Sequence, residues 1–169
     1  MESGEKQNQD IGFRNIRWTH PIGRVRLKQQ PSGEPTVWLV YQCQQSQKLN
    51  LETNKIKTLA SGIFDGLTQL KELALKENVL QTLPPEIFHR LTKLESLDLD
   101  NNKLITLPQG IFDGLANLTA LALKENVLQT LPPEIFHRLT KLEELDLDNN
   151  KLITLPQGIF DGLANLTAL

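Results

Sequence analysis

The chain has 169 residues and a formal net charge of −2, with 39% hydrophobic but only 5% aromatic residues. That length suits one ordinary domain whose core leucine must carry, and the near-neutral balance gives no global case for a nucleic-acid or anionic-membrane partner. One cysteine, Cys43, leaves no disulfide within the chain, and no run approaches the roughly 20 apolar residues of a membrane helix.

Residues 1–10, MESGEKQNQD, are polar, contain no apolar leader core and read as a disordered tail. With neither a leader nor a cysteine pair, the expected compartment leans to the cytoplasm. Residues 11–45 read as a β-rich N-terminal cap. Residues 13–19 are a candidate strand, and His20, Pro21, Ile22 and Gly23 a turn. Arg24, Val25, Arg26, Leu27 and Lys28 alternate cation and aliphatic, the mark of a half-buried strand. Residues 31–35 are a loop. Residues 36–43, TVWLVYQC, are apolar on both faces and need cover on both sides. Together these predict a small antiparallel β element that covers the first turn of the region from residue 46 onward. Arg24, Arg26 and Lys28 share one face, which reads either as a surface for an acidic partner, another copy included, or as a solvated face that discourages edge pairing.

From residue 46 to 169 one pattern returns every 24 residues, five times. Asn54, Asn78, Asn102, Asn126 and Asn150 mark it. Leu-x-Leu precedes each, from Leu49/Leu51 to Leu145/Leu147. Ile56, Leu80, Leu104, Leu128 and Leu152 follow, then a leucine, with Pro84, Pro108, Pro132 and Pro156 after it and Ala60 in the first copy. An Ile-Phe pair and a closing leucine complete the unit. Leu-x-Leu is a short strand with alternate side chains inward. The asparagine amide can satisfy backbone groups of neighbouring turns. Proline, lacking an amide hydrogen, ends strand pairing. Phe64, Phe88, Phe112, Phe136 and Phe160 should stack as an interior spine. A second period overlies the first: residues 73–120 and 121–168 differ only at Ser96 and Glu144.

The pattern LxxLxLxxNxLxxLPxxIFxxLxx is identified as the leucine-rich repeat. Its stretches LPQGIFDGLANL at 107–118 and 155–166 and SGIFDGLTQL at 61–70 resemble the repeats of variable lymphocyte receptors of jawless vertebrates and similar bacterial proteins. The cysteine-stapled caps of those receptors are not seen in this chain. The resemblance implies an α/β solenoid with a concave parallel sheet, preceded here by the β cap, and a binding scaffold whose ligands sit on the concave face.

Outward strand positions on that face are Asn50 and Glu52, Ala74 and Lys76, Asp98 and Asp100, Ala122 and Lys124, and Asp146 and Asp148. Neighbouring strands place Glu52, Lys76, Asp100, Lys124 and Asp148 in one row of alternating sign, with exposed pairs worth about 0.2–1 kcal/mol each. Calcium at the paired aspartates would need six to eight oxygens and is opposed by the lysines. General acid–base work would need a pocket that an open sheet does not supply. A structural ladder is the better reading. His89 and His137 lie two turns, roughly 10 Å, apart, too far for one metal. Cys43 reads as buried and inert. The sequons at Asn117 and Asn165 read as incidental products of the repeat. No cofactor, metal or catalytic group is expected.

The last residue, Leu169, is the first leucine of a further unit, so no polar C-terminal cap is visible. Leu145, Leu147, Leu152, Leu155, Ile159, Phe160, Leu163 and Leu166 are expected to be partly bare. Residues 1–50 carry a balance of +3 and residues 51–169 one of −5. Two functions are expected from this pattern. One is a non-enzymatic protein-interaction scaffold using the concave face. The other is a structural protein stacking head to tail into filaments or rings, with Arg24, Arg26 and Lys28 at one end and Leu152, Phe160, Leu163, Leu166 and Leu169 at the other.

Overall fold

The computed structural model describes residues 46–169 and the backbone of three earlier strands, β1 (Arg17–Trp18), β2 (Arg26–Lys28) and β3 (Thr36–Val40). The expected tail, His20, Arg24 and Cys43 lie outside the described residues. Six further strands complete the set: β4 (Lys48–Asn50), β5 (Thr58–Leu59), β6 (Glu72–Ala74), β7 (Ser96–Asp98), β8 (Ala120–Ala122) and β9 (Glu144–Asp146). The main sheet runs β1-β4-β6-β7-β8-β9. From β4 onward it is parallel, with Leu49, Leu73, Leu97, Leu121 and Leu145 in register. One 24-residue step is thus one turn of a solenoid. β1 lies antiparallel on β4, with Trp18 opposite Leu49. β2 pairs antiparallel with β3, which runs parallel to β5.

The strands centre on the first leucine of each Leu-x-Leu, one residue earlier than the motif suggests. The ladder still continues through the second leucine: Leu51 donates to the Ala74 carbonyl at 2.8 Å, Leu99 to Ala122 at 2.9 Å and Leu123 to Asp146 at 2.9 Å. Two residues later the backbone turns left-handed at Thr53, Glu77, Asn101, Glu125 and Asn149, with φ between 52° and 58°. This ends the strand and throws the chain toward the buried asparagine.

Both leucines of each strand point inward and are at most 2% exposed from Leu49 to Leu145. The phenylalanines stack as expected, with centroids 6.2–6.5 Å apart and rings within 13° of parallel. The asparagines form a second ladder. Asn78 Nδ2 donates to the Leu51 carbonyl of the preceding turn at 2.9 Å and to Leu75 of its own at 2.8 Å, while its Oδ1 accepts from the amides of Asn54 and Ile56. Asn102, Asn126 and Asn150 donate in the same way, and their Oδ1 atoms accept from the amides of Leu80, Leu104 and Leu128. Away from the sheet each repeat is a run of tight turns. Leu67, Leu91, Leu115 and Leu139 each donate at 2.9 Å to the phenylalanine three residues earlier.

The last turn is better covered than expected. Leu145, Ile159 and Leu163 are only 2%, 4% and 8% exposed. At its strand, residues 167–168 already bond along β9: Thr167 and Ala168 donate to the Glu143 carbonyl, and Leu145 donates to that of Ala168. Leu147, Leu152, Phe160 and Leu166 are half-buried against the core. Ile153, Leu155 and Leu169 are 85%, 46% and 69% exposed.

Candidate functional site

The concave face is built from the positions that alternate with the buried leucines, because successive strand residues face opposite sides. Each strand offers three such positions. The two named from the motif are there. The third precedes the first leucine: Lys48, Glu72, Ser96, Ala120 and Glu144, with Glu144 bridged to Ala168 beyond. Counting the alternation backward by one step from each Leu-x-Leu reveals them in the sequence.

The charges on this face are not spread evenly. Near the N-terminal end, Lys48 pairs with Glu72 at 2.6 Å. Lys76 lies 3.6 Å from Glu52 and 4.0 Å from Asp98. The alternating row is therefore realised between Glu52 and Lys76. Its next step is not: the second carboxylate near Lys76 is Asp98 rather than Asp100. Asp100 instead turns onto the backbone, where its Oδ1 accepts from the Lys124 amide at 2.7 Å. Among the described residues no carboxylate lies within 4.0 Å of the Lys124 ammonium. Burial raises Asp98 above its ordinary range, against the lowering effects of the Asp100 amide and Lys76. Burial, and then the neighbouring Asp98 carboxylate, push Asp100 up to about 6. This end of the sheet is short of positive charge.

A hollow opens on the face over Ala120 and Ala122. Its walls are Ser96 and Asp98 on one side and Glu144, Asp146 and Asp148 on the other. Ala74 occupies the matching place between β4 and β7. Asp98 and Asp146 each brace the chain locally, accepting from the amide two residues on at 3.1 and 2.9 Å.

The remaining chemistry is used by the fold. No three His, Cys, Asp or Glu residues among those described converge to hold a metal ion. His89 and His137 are exposed, and each ring Nδ1 meets the carbonyl of Glu86 or Glu134 in its own turn. The sequon amides are engaged too: Asn117 Nδ2 donates to Thr92 and Asn165 Nδ2 to Thr140, both at 2.8 Å. No helix among the described residues is long and apolar enough to cross a membrane. Of the stacking candidates, Arg24 lies outside the described residues, and the backbones of Arg26 and Lys28 lie opposite Val40 and Trp38. Leu152, Phe160, Leu166 and Leu169 offer apolar surface, whereas Leu163 is covered.

The family profile described as leucine rich repeat matches residues 47–104, 92–152 and 117–169. No curated protein sequence matches the chain significantly. Among solved structures it is similar to a Leptospira interrogans leucine-rich-repeat protein, with 36% identity and a TM-score of 0.66 over 73% of this chain and 30% of that one. It is also similar to a chain in the octameric complex of Latrophilin 3, Unc5D and the leucine-rich-repeat protein FLRT2, with 34% identity and a TM-score of 0.65 over 71% of this chain and 37% of that one. The chain thus spans about a third of the length of these neighbours. Three overlapping profile matches cover every residue from 47 to 169, the same stretch that forms the Leu-x-Leu sheet, the asparagine ladder and the phenylalanine spine: this chain belongs to the leucine-rich-repeat family.

Proposed function

We propose that this chain is a non-enzymatic protein-binding scaffold and that the concave sheet is its contact surface. The observation that carries the reading is the face itself. Ala74, Ala120 and Ala122, all partly exposed, give it a low floor between charged rows, and a hollow opens over Ala120 and Ala122. A partner's side chains can therefore reach the sheet there. FLRT2 was solved in a complex with other proteins, which supports the same reading. The test is to select binders from a random peptide library and measure them against Ala74→Trp/Ala122→Trp. That variant raises the floor and is expected to weaken binding about tenfold or more. Ala116→Trp, at an exposed position off the sheet, should not. Equal effects would refute the concave assignment.

The exposed apolar groove formed by Leu147, Leu152, Ile153, Leu155, Phe160 and Leu169 favours a second reading. In it this end stacks on the more basic N-terminal region of another copy, which the opposite charge balances support. A further repeat would cover the same groove, so the test uses the chain as it stands. An apparent mass by light scattering that rises with concentration supports stacking, and a constant monomer mass sinks it.

A further inference from the structure

We infer that the C-terminal half of the concave sheet seats an arginine presented by a basic segment of a partner protein, over Ala122 and between Asp98 and Asp146. This rests on the concave face being the contact surface and names the chemistry of what binds there.

The register sets the geometry. Asp98, Ala122 and Asp146 are cross-strand neighbours in one line. Two strand steps of about 4.8 Å place the aspartates about 10 Å apart at the backbone, with only a methyl group between them. A guanidinium donating about 2.8 Å to each side fits that gap, and its apolar face suits a floor of Ala120 and Ala122. Each aspartate already fixes one oxygen on the amide two residues along, so the carboxylates are held before anything arrives.

The two halves of the face differ in charge. Around Ala74 the chain supplies its own cations, with Lys48 on Glu72 and Lys76 between Glu52 and Asp98. Around Ala122 there are five carboxylates, Asp98, Asp100, Glu144, Asp146 and Asp148, and one lysine, Lys124, with none of them within 4.0 Å of its ammonium. The single difference between the duplicated segments, Ser96 against Glu144, adds a carboxylate to the wall of this hollow. Of the five carboxylates around Ala122 only Asp98 has a lysine within reach, Lys76 at 4.0 Å, and the other four are left without one among the described residues.

The probe is a short peptide repeating arginine-glycine-serine, whose arginines fall about 10 Å apart when extended, with the glutamate counterpart as control. Titrated at low salt, the arginine peptide is expected to bind and the glutamate peptide not to. Asp98→Asn/Asp146→Asn keeps the local backbone bonds and should weaken binding about tenfold. Ala122→Arg places a guanidinium of the chain's own in the gap and should abolish it. Glu86→Gln/Glu134→Gln makes the same charge change on exposed turns away from the sheet and should match the parent. The proposal is overturned if the arginine peptide does not bind, if both double variants weaken it equally, or if Ala122→Arg leaves it unchanged. Library binders blocked by Ala74→Trp/Ala122→Trp but lacking basic residues would overturn it while leaving the concave-face reading intact. Binders indifferent to that variant would overturn the reading itself.

Discussion

Just past each strand the backbone turns left-handed, and the residue placed there decides how costly the turn is. Asn101 and Asn149 suit it, because a short polar side chain tolerates positive φ; Glu77 and Glu125, at 54° and 53°, do not. Glu125→Asn copies the neighbouring repeats and should raise stability by up to about 1 kcal/mol; a lowered urea midpoint would contradict this. Asp100 makes a second, pH-dependent case. Its folded value of about 6 lies above its ordinary 3.8, so the folded chain binds its proton more tightly than the unfolded one. Stability is therefore undiminished below about pH 4 and is lost as pH rises toward 6. Because the group is only part-buried, the loss is about 1 kcal/mol after allowance for screening. Asp100→Asn keeps an oxygen to accept from the Lys124 amide. It should be more stable than the parent at neutral pH, with the advantage gone near pH 4. Urea unfolding at both pH values checks this, and an equal advantage at both would show that the carboxylate is not strained.

At the scale of elements, repetition turns single contacts into continuous ones. Phe112 is stacked on both sides, by Phe88 and Phe136, and is fully buried, whereas Phe160 stacks on one neighbour and is half-buried. Phe112→Ala should cost about 3–5 kcal/mol and Phe160→Ala clearly less; equal losses in denaturant midpoints would mean that the spine is not a stack of equivalent interior rings. These elements were legible in the sequence because a 24-residue period leaves little freedom. A side chain that recurs at a fixed step in a solenoid must meet its own copy, which dictates the sheet, the spine and the asparagine ladder. Three features were not legible, each for a local reason. Lys76 can reach either of two carboxylates, and Asp100 has a backbone amide as a rival to the next lysine. The row at Lys48, Glu72, Ser96, Ala120 and Glu144 lies ahead of the motif's first leucine and shows only when the alternation is run backward. The covering of the β9 edge comes from residues 167–168 bonding to it, a tertiary consequence that the spacing of leucines does not contain.

For the whole molecule, near-identical repeats still produce an uneven surface. Only one position separates the duplicated segments, yet the first half of the concave face pairs its charges and the second does not, because Ser96 stands two repeats on from Lys48 and Lys124, two repeats on from Lys76, has no carboxylate within 4.0 Å among the described residues. The same property explains why the sequence said more about fold than about ligand: the fold depends on what recurs, and the binding character depends on the few places where recurrence fails. The central claim is that partners are met on the concave sheet, and amide hydrogen exchange on the chain with and without a library-selected peptide tests it directly. Slowed exchange confined to residues 96–100, 120–124 and 144–148 is the predicted result. Protection instead of the turns at 85–90, 109–114 and 133–138, with the strands unchanged, would contradict it.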